Sequence, residues 1–230
     1  MKKIKKWLKY KMCKWFSFSY VLMFHHITEM PKVKKSACLL SFDFFKNFIL
    51  RYNGNYSSFE DVAAKKVKRK IAVTFDDGLE DVYTMAYPFL KEHNVPFTIF
   101  VITDFLDTDG YITTEQLKEM SKDPLVTIGS HGVTHKILPK LSREEKMFEL
   151  SESKRKLSEL IGKDVTVFAY SHGQFDQETL SLMGCYDYAF SAGECFSALL
   201  KWDKYLIPRF NLVSKLYDNQ IAFFDKVIKK

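Results

Sequence analysis

The chain has 230 residues, 47% of them hydrophobic and 27% charged, which is enough for one sizeable α/β domain, and no Pro-, Gly- or Ser-rich stretch divides it. Its net charge of +7 sits in one place: seven lysines between Lys2 and Lys14 precede the first acid, Glu29, and the other 28 basic residues face 28 acidic ones. A basic arm on a neutral body excludes an extended nucleic-acid-binding surface, and no run reaches the length of a transmembrane helix.

Residues 1–17 form that arm. Ile4, Trp7, Leu8, Met12, Trp15 and Phe16 gather on one face of a helix with lysines around the rest, the pattern of an interfacial segment lying on anionic lipid. The lysines continue to Lys14 and no uninterrupted apolar core or small-residue cleavage site follows, so the arm is a poor signal peptide. The expected address is the cytoplasm, with peripheral contact at the inner membrane face through residues 1–16. Cys13, Cys38, Cys185 and Cys195 show no Cys-x-x-Cys spacing and are expected to be reduced thiols.

From residue 18 onward, short apolar β-rich runs alternate with amphipathic stretches of helical length, as when parallel strands are covered by helices. Strands are predicted at 20–24, 71–75, 97–102, 125–128, 165–170, 188–191 and 205–207. Helices are predicted at 42–52, 80–92, 114–121, 142–161, 177–183 and 215–228. Ser142 and Glu145 have capping-box spacing, and Gly162 sits where a left-handed residue would end the same helix. Residues 18–230 thus read as one barrel-like α/β domain.

Polar clusters follow three of these strands. Asp76-Asp77-Gly78 follows the run 71–75, His131 follows 125–128, and Ser171-His172-Gly173 follows 165–170, so all three converge on the rim where βα barrels place their sites. The pairing of Thr-Phe-Asp-Asp-Gly (74–78) with Ser-His-Gly-Val-Thr-His (130–135) supplies two imidazoles, a ligating carboxylate and a spare carboxylate, the inventory of a mononuclear hydrolytic metal site. A helical turn between His131 and His135 would bring both to one ion. Either motif alone is weak, since Asp-Asp-Gly often marks a turn and His-x-x-x-His is common.

At these residues the chain resembles the polysaccharide deacetylases of the NodB-homology type, carbohydrate esterase family 4. The resemblance runs from about Ile71 to Arg209, through Ile-Ala-Val-Thr-Phe-Asp-Asp-Gly, Pro-Phe-Thr-Ile-Phe-Val, Ile-Gly-Ser-His-Gly-Val-Thr-His and Phe-Ala-Tyr-Ser-His-Gly. It implies a distorted (β/α)7 barrel and metal-dependent removal of acetyl groups from N-acetylhexosamine units. Asp77, His131 and His135 would then hold one divalent ion, zinc first with cobalt, nickel or iron as substitutes, and Asp76 would be the general base. A backbone N–H near Ser171 or His172 would face the oxyanion.

The late Leu-His motif that supplies the acid in many members is missing, because no histidine follows His172. Val-Leu-Met-Phe-His-His-Ile (21–27) resembles the opening strand of the poly-N-acetylglucosamine deacetylase branch, which implies His25 as general acid with Phe24 in place of that branch's tyrosine. By strand alternation His26 would point the other way. The third motif lacks the family's arginine, and resemblance of Leu-Ile-Pro-Arg (206–209) to the branch's late motif implies Arg209 as the residue that orients the base. Tyr170, Ser171, His172 and Trp202 are candidates for the sugar site, the two aromatics by stacking. The implied partner is an N-acetylated glycan or a lipid-linked saccharide, with no nucleic acid. Two other readings stand beside this one: a deformylase or amidase on another acylamino compound, and an inactive glycan-binding or membrane-associated scaffold.

Overall fold

The computed structural model describes residues 18–29, 38–192, 203–212 and 217–229; the arm and Trp202 lie outside the described residues. Among the described residues nine strands occur in chain order: β1 (Tyr20–Phe24), β2 (His26–Thr28), β3 (Leu39–Ser41), β4 (Ile71–Phe75), β5 (Phe97–Val101), β6 (Val126–Ser130), β7 (Val167–Ala169), β8 (Tyr188–Ala192) and β9 (Ile207–Asn211). Seven of them, β1 and β4 to β9, pair in parallel and close on themselves where β9 returns to β1. The outcome is the (β/α)7 barrel. The short strands β2 and β3 make a separate parallel pair beside it.

Period-two alternation divides each barrel strand between two cores. Leu22, Phe24, Val73, Phe75, Ile99 and Phe168 point outward under the helices. Val21, Ala72, Phe100, Val167, Ala169, Phe190 and Ile207 fill the interior, and Phe59, Val62 and Ala63 of the short helix Phe59–Ala63 close the end where the strands begin. That helix escaped the sequence reading because five residues are too few to show a helical period. With one end plugged, the other rim is free for polar side chains.

Most helices lie where their patterns put them. The capping box of Ser142 and Glu145 opens the helix Arg143–Ile161, and Gly162 closes it in the left-handed conformation at φ 66°. The expected helix 80–92 is instead a π-turn, Val82–Ala86, running into an α-helix at Tyr87–Glu92 whose first turn carries Pro88. β9 extends four residues past its expected end, because Pro208 pairs opposite Ser191 without stopping the strand, and this carries Arg209 into the barrel.

Gly129 shows how tightly the interior is filled. A Cβ on it would lie 2.5 Å from Phe100 Cδ1, and Phe100 cannot retreat because its ring is packed on Phe190 at 5.3 Å with the Arg209 guanidinium over its face at 5.3 Å. Gly129→Ala is therefore expected to destabilise the barrel by about 1–3 kcal/mol through overpacking. Urea unfolding would measure it, and an unchanged midpoint would mean the interior has slack the packing does not show.

Candidate metal and catalytic centre

Parallel register delivers the site. Phe24 pairs with Phe75 as the last residues of β1 and β4, so His25 and Asp76 leave the sheet side by side on its inward face, tied by the Asp76 N–H donating to Phe24 O at 2.9 Å. Asp77 follows in a left-handed conformation at φ 73°, and that turn redirects its side chain across the rim. His131 begins directly after β6, its N–H donating to Val101 O at 2.9 Å.

Asp77 Oδ1 lies 3.5 Å from Nε2 of both His131 and His135, and the three ligand atoms fall within 4.8 Å of one another. His131 is buried, and its Nδ1 lies 2.7 Å from the carbonyl of Ala169; a carbonyl only accepts, so Nδ1 carries the proton and Nε2 is left with its lone pair toward Asp77. Asp77 Oδ1 is buried with no hydrogen-bond partner among the described residues. An oxygen in that state, between two imidazole nitrogens, fits a divalent cation held by one carboxylate and two histidines. The helical turn expected between the histidines does not form: residues 131–135 are an irregular loop with φ of 88° at Gly132 and 61° at His135, and this folds His135 back onto the same point.

The electrostatics follow the geometry. Burial pushes the Asp77 carboxyl up, but the adjacent His131 and His25 outweigh it and hold it down to about 2. His135 is lowered to about 4, first by burial and then by the neighbouring His131. In His131 burial acts downward but the charges of Asp76 and Asp77 win, and its pKa is raised.

Asp76, 3% exposed, has its own partner. Arg209 reaches it from β9 through two parallel bonds, Nη1 to Oδ1 at 2.5 Å and Nη2 to Oδ2 at 2.7 Å, and donates a further bond to Thr74 Oγ1 at 3.2 Å. Burial alone would raise the Asp76 pKa; the Arg209 guanidinium, with His131, turns the shift downward. His25 Nε2 stands 4.0 Å from Asp76 Oδ2, close but beyond a hydrogen bond. His26 points away, exposed, its Nδ1 2.9 Å from Asp81 Oδ2.

Residues 63–191 match the polysaccharide deacetylase family. The chain belongs to that family. It is 33% identical over 116 residues to a protein of Bacillus subtilis (strain 168) assigned by name to the polysaccharide deacetylases, an alignment covering 50% of this chain and 41% of that one. It is 27% identical over 175 residues to the poly-beta-1,6-N-acetyl-D-glucosamine N-deacetylase of Staphylococcus aureus (strain MSSA476), covering 69% of this chain and 59% of that one. The chain thus spans about half the length of the curated relatives it matches. A solved Streptococcus pyogenes deacetylase in complex with acetate shares the fold, with a TM-score of 0.80 at 22% identity over 89% of this chain and 97% of that one.

Within this family barrel the third motif departs from its expected use. Tyr170 is fully buried, its ring packed between Phe168 and Phe175 and its hydroxyl donating to Tyr205 O at 3.0 Å, so it offers no face to a sugar. Strand alternation explains the correction: after inward Ala169, Tyr170 turns to the outer core. The Ser171 hydroxyl is also buried and donates to His131 O at 3.1 Å, so it holds the loop and not a substrate. His172, exposed and at φ 55°, has its ring 4.5 Å from that of His135 on the rim, the two tilted by 38°. The next residue must be glycine: Gly173 has φ 67°, and a Cβ there would meet Ala192 Cβ at 2.4 Å.

Two site residues were missed in the sequence. Asp81 accepts from the Ile27 N–H at 3.2 Å as well as from His26, tying β2 to the rim; its spacing of four from Asp77 was the available signal. Glu149 is buried at 3% exposure against the His131–His135 loop. In sequence it looks like one more charge on a solvated helix.

Proposed function

We propose that the chain is a metal-dependent hydrolase that removes acetyl groups from N-acetylhexosamine units of a glycan, with a β-linked N-acetylglucosamine polymer or a lipid-linked precursor as the substrate class. The observation that carries this reading is the meeting of two sets on one rim: Asp77, His131 and His135 around a common point, and Asp76 held by Arg209 with His25 at 4.0 Å. The named activity of the Staphylococcus aureus relative supports the choice of sugar. The basic amphipathic pattern of residues 1–16 supports peripheral membrane contact, hence the lipid-linked alternative.

Asp77, His131 and His135 would hold the ion, and Asp76 would take the proton from a water attacking the acetamide carbonyl. Bound there, a divalent ion supplies Lewis acidity and brings the pKa of water toward 7, which a carboxylate held as acidic as Asp76 requires of its proton donor. Arg209 keeps Asp76 ionised and fixes both its oxygens. His25, on the same face as Asp76 and not bonded to it, would hand a proton to the departing amine. A backbone N–H of Ser171 or His172 would steady the oxyanion, on a turn tied to the histidine loop by the Ser171 hydroxyl donating to His131 O.

The test is acetate release from β-1,6-linked N-acetylglucosamine oligomers, with formate release from N-formyl counterparts as the competing reading. Asp76→Asn is expected to lower kcat by about 10²–10⁴ while bound metal per folded chain stays unchanged. Full activity in that variant would remove Asp76 from the chemistry, and faster formate than acetate release would move the function to deformylation.

A further inference from the structure

The loop between the two histidines is pinned from both sides. Its carbonyls accept from the barrel: Thr103 N–H donates to Gly132 O at 3.2 Å and Asp104 N–H to Val133 O at 3.1 Å. Its N–H groups turn the other way and converge on one carboxylate, with Val133 N–H donating to Glu149 Oε2 at 2.7 Å and Thr134 N–H to the same oxygen at 3.0 Å. The Thr134 hydroxyl donates to Glu149 Oε1. Glu149 comes from the helix Arg143–Ile161, and its next turn contributes Ser153, whose hydroxyl donates to Glu149 O at 2.6 Å and lies 2.7 Å from Ser130 Oγ. Gly132 completes the fit, since a Cβ there would stand 2.8 Å from Glu149 Oε2.

His131 has other restraints: the end of β6, the Val101 carbonyl and the Ala169 carbonyl. His135 has none of these. It sits beyond the loop at φ 61°, and its distance to Asp77 depends on the path taken by residues 132–134. We propose that Glu149 is a positioning residue for the metal centre, its carboxylate setting the loop so that His135 meets the point shared by Asp77 and His131. The inference rests on reading those three residues as ion ligands.

Glutamine is the conservative replacement. Its amide oxygen accepts the two backbone N–H groups, and its NH₂ donates to the Thr134 hydroxyl, which accepts as well as donates. Alanine leaves two buried N–H groups unpaired. The experiment is titration of ion-free wild type, Glu149→Ala, Glu149→Gln and Thr134→Val with Co²⁺ alone, read by calorimetry and by the visible Co²⁺ absorption, beside the thermal midpoint of each ion-free protein.

Glu149→Ala is expected to bind Co²⁺ about 10–100-fold more weakly than wild type with an altered absorption band, and Glu149→Gln to recover most of that affinity. Thr134→Val, which removes only the bond to Oε1, is expected to fall between and carries the test with Glu149→Gln if the alanine variant does not fold. A Glu149→Ala protein with a lowered ion-free midpoint and wild-type Co²⁺ affinity and spectrum would make Glu149 a stabilising residue only and overturn the proposal. So would unchanged Co²⁺ binding in Thr134→Val where alanine fails to fold. Wild type that takes up no Co²⁺ would instead overturn the metal-centre reading, and the proposal with it.

Discussion

Arg209→Met is expected to destabilise the fold by about 3–5 kcal/mol, the cost of leaving a buried charge without its partner. The guanidinium is 1% exposed and closes both oxygens of Asp76, which is itself 3% exposed. Removing only the cation strands the carboxylate in a barrel interior lined by Phe100 and Phe190. Adding Asp76→Asn removes the stranded charge, so the double variant is expected to recover part of the loss, and the cycle isolates the pair. Urea unfolding measures all four proteins; a single-variant loss under about 1 kcal/mol, the range of exposed ion pairs, would mean Asp76 finds another partner.

The pH dependence has a definite sign. Burial raises the Asp76 pKa but Arg209 and His131 bring the net shift below the ordinary value, so Asp76 stabilises the folded state above a pH of about 4 and that stability is lost as pH falls through its folded value. In Arg209→Met the largest opposing charge is gone and burial is left less opposed. The acidic limb of the activity profile is therefore expected to move upward, because the base stays protonated to higher pH.

His131→Ala/His135→Ala is expected to abolish specific ion binding and, with it, deacetylation. Elemental analysis after reconstitution should find about one tightly held ion per wild-type chain and none in the double variant. At neutral pH Asp77, held down to about 2, is ionised and His135, lowered to about 4, is a neutral imidazole with one ring nitrogen free to ligate. His131, raised by the two aspartates against its burial, is the one of the three whose Nε2 takes up a proton first as pH falls. Affinity should accordingly fall as pH decreases and His131 takes up its proton. One ion per chain retained in the double variant would place the metal elsewhere.

Local pattern was legible where a short window contains the cause. The strands 20–24 and 71–75, the capping box at Ser142 and the left-handed Gly162 need only nearest neighbours, and the structure has them as expected. The motifs at Asp76-Asp77 and His131-His135 were legible as a candidate set by residue type and spacing, and the structure brings them to one rim. Arg209 and His25 were readable only through resemblance, because they approach Asp76 from the two ends of the chain.

What tertiary structure decided lies where side-chain direction depends on partners distant in sequence. Tyr170 looked available to a sugar and is a core residue, since closing the barrel puts Ala169 inside and alternation then turns Tyr170 to the outer core. Glu149 looked like a solvated helix charge and lies buried against a loop, because helix packing and not helical period chooses which carboxylate meets unpaired N–H groups. The sequence by itself determined a parallel α/β barrel and its metal-ligand inventory, which follow from alternation and from donor chemistry. Only the closing of β9 on β1, which carries Arg209 to Asp76, and the positive-φ loop that folds His135 back to Asp77 brought that inventory together at one point.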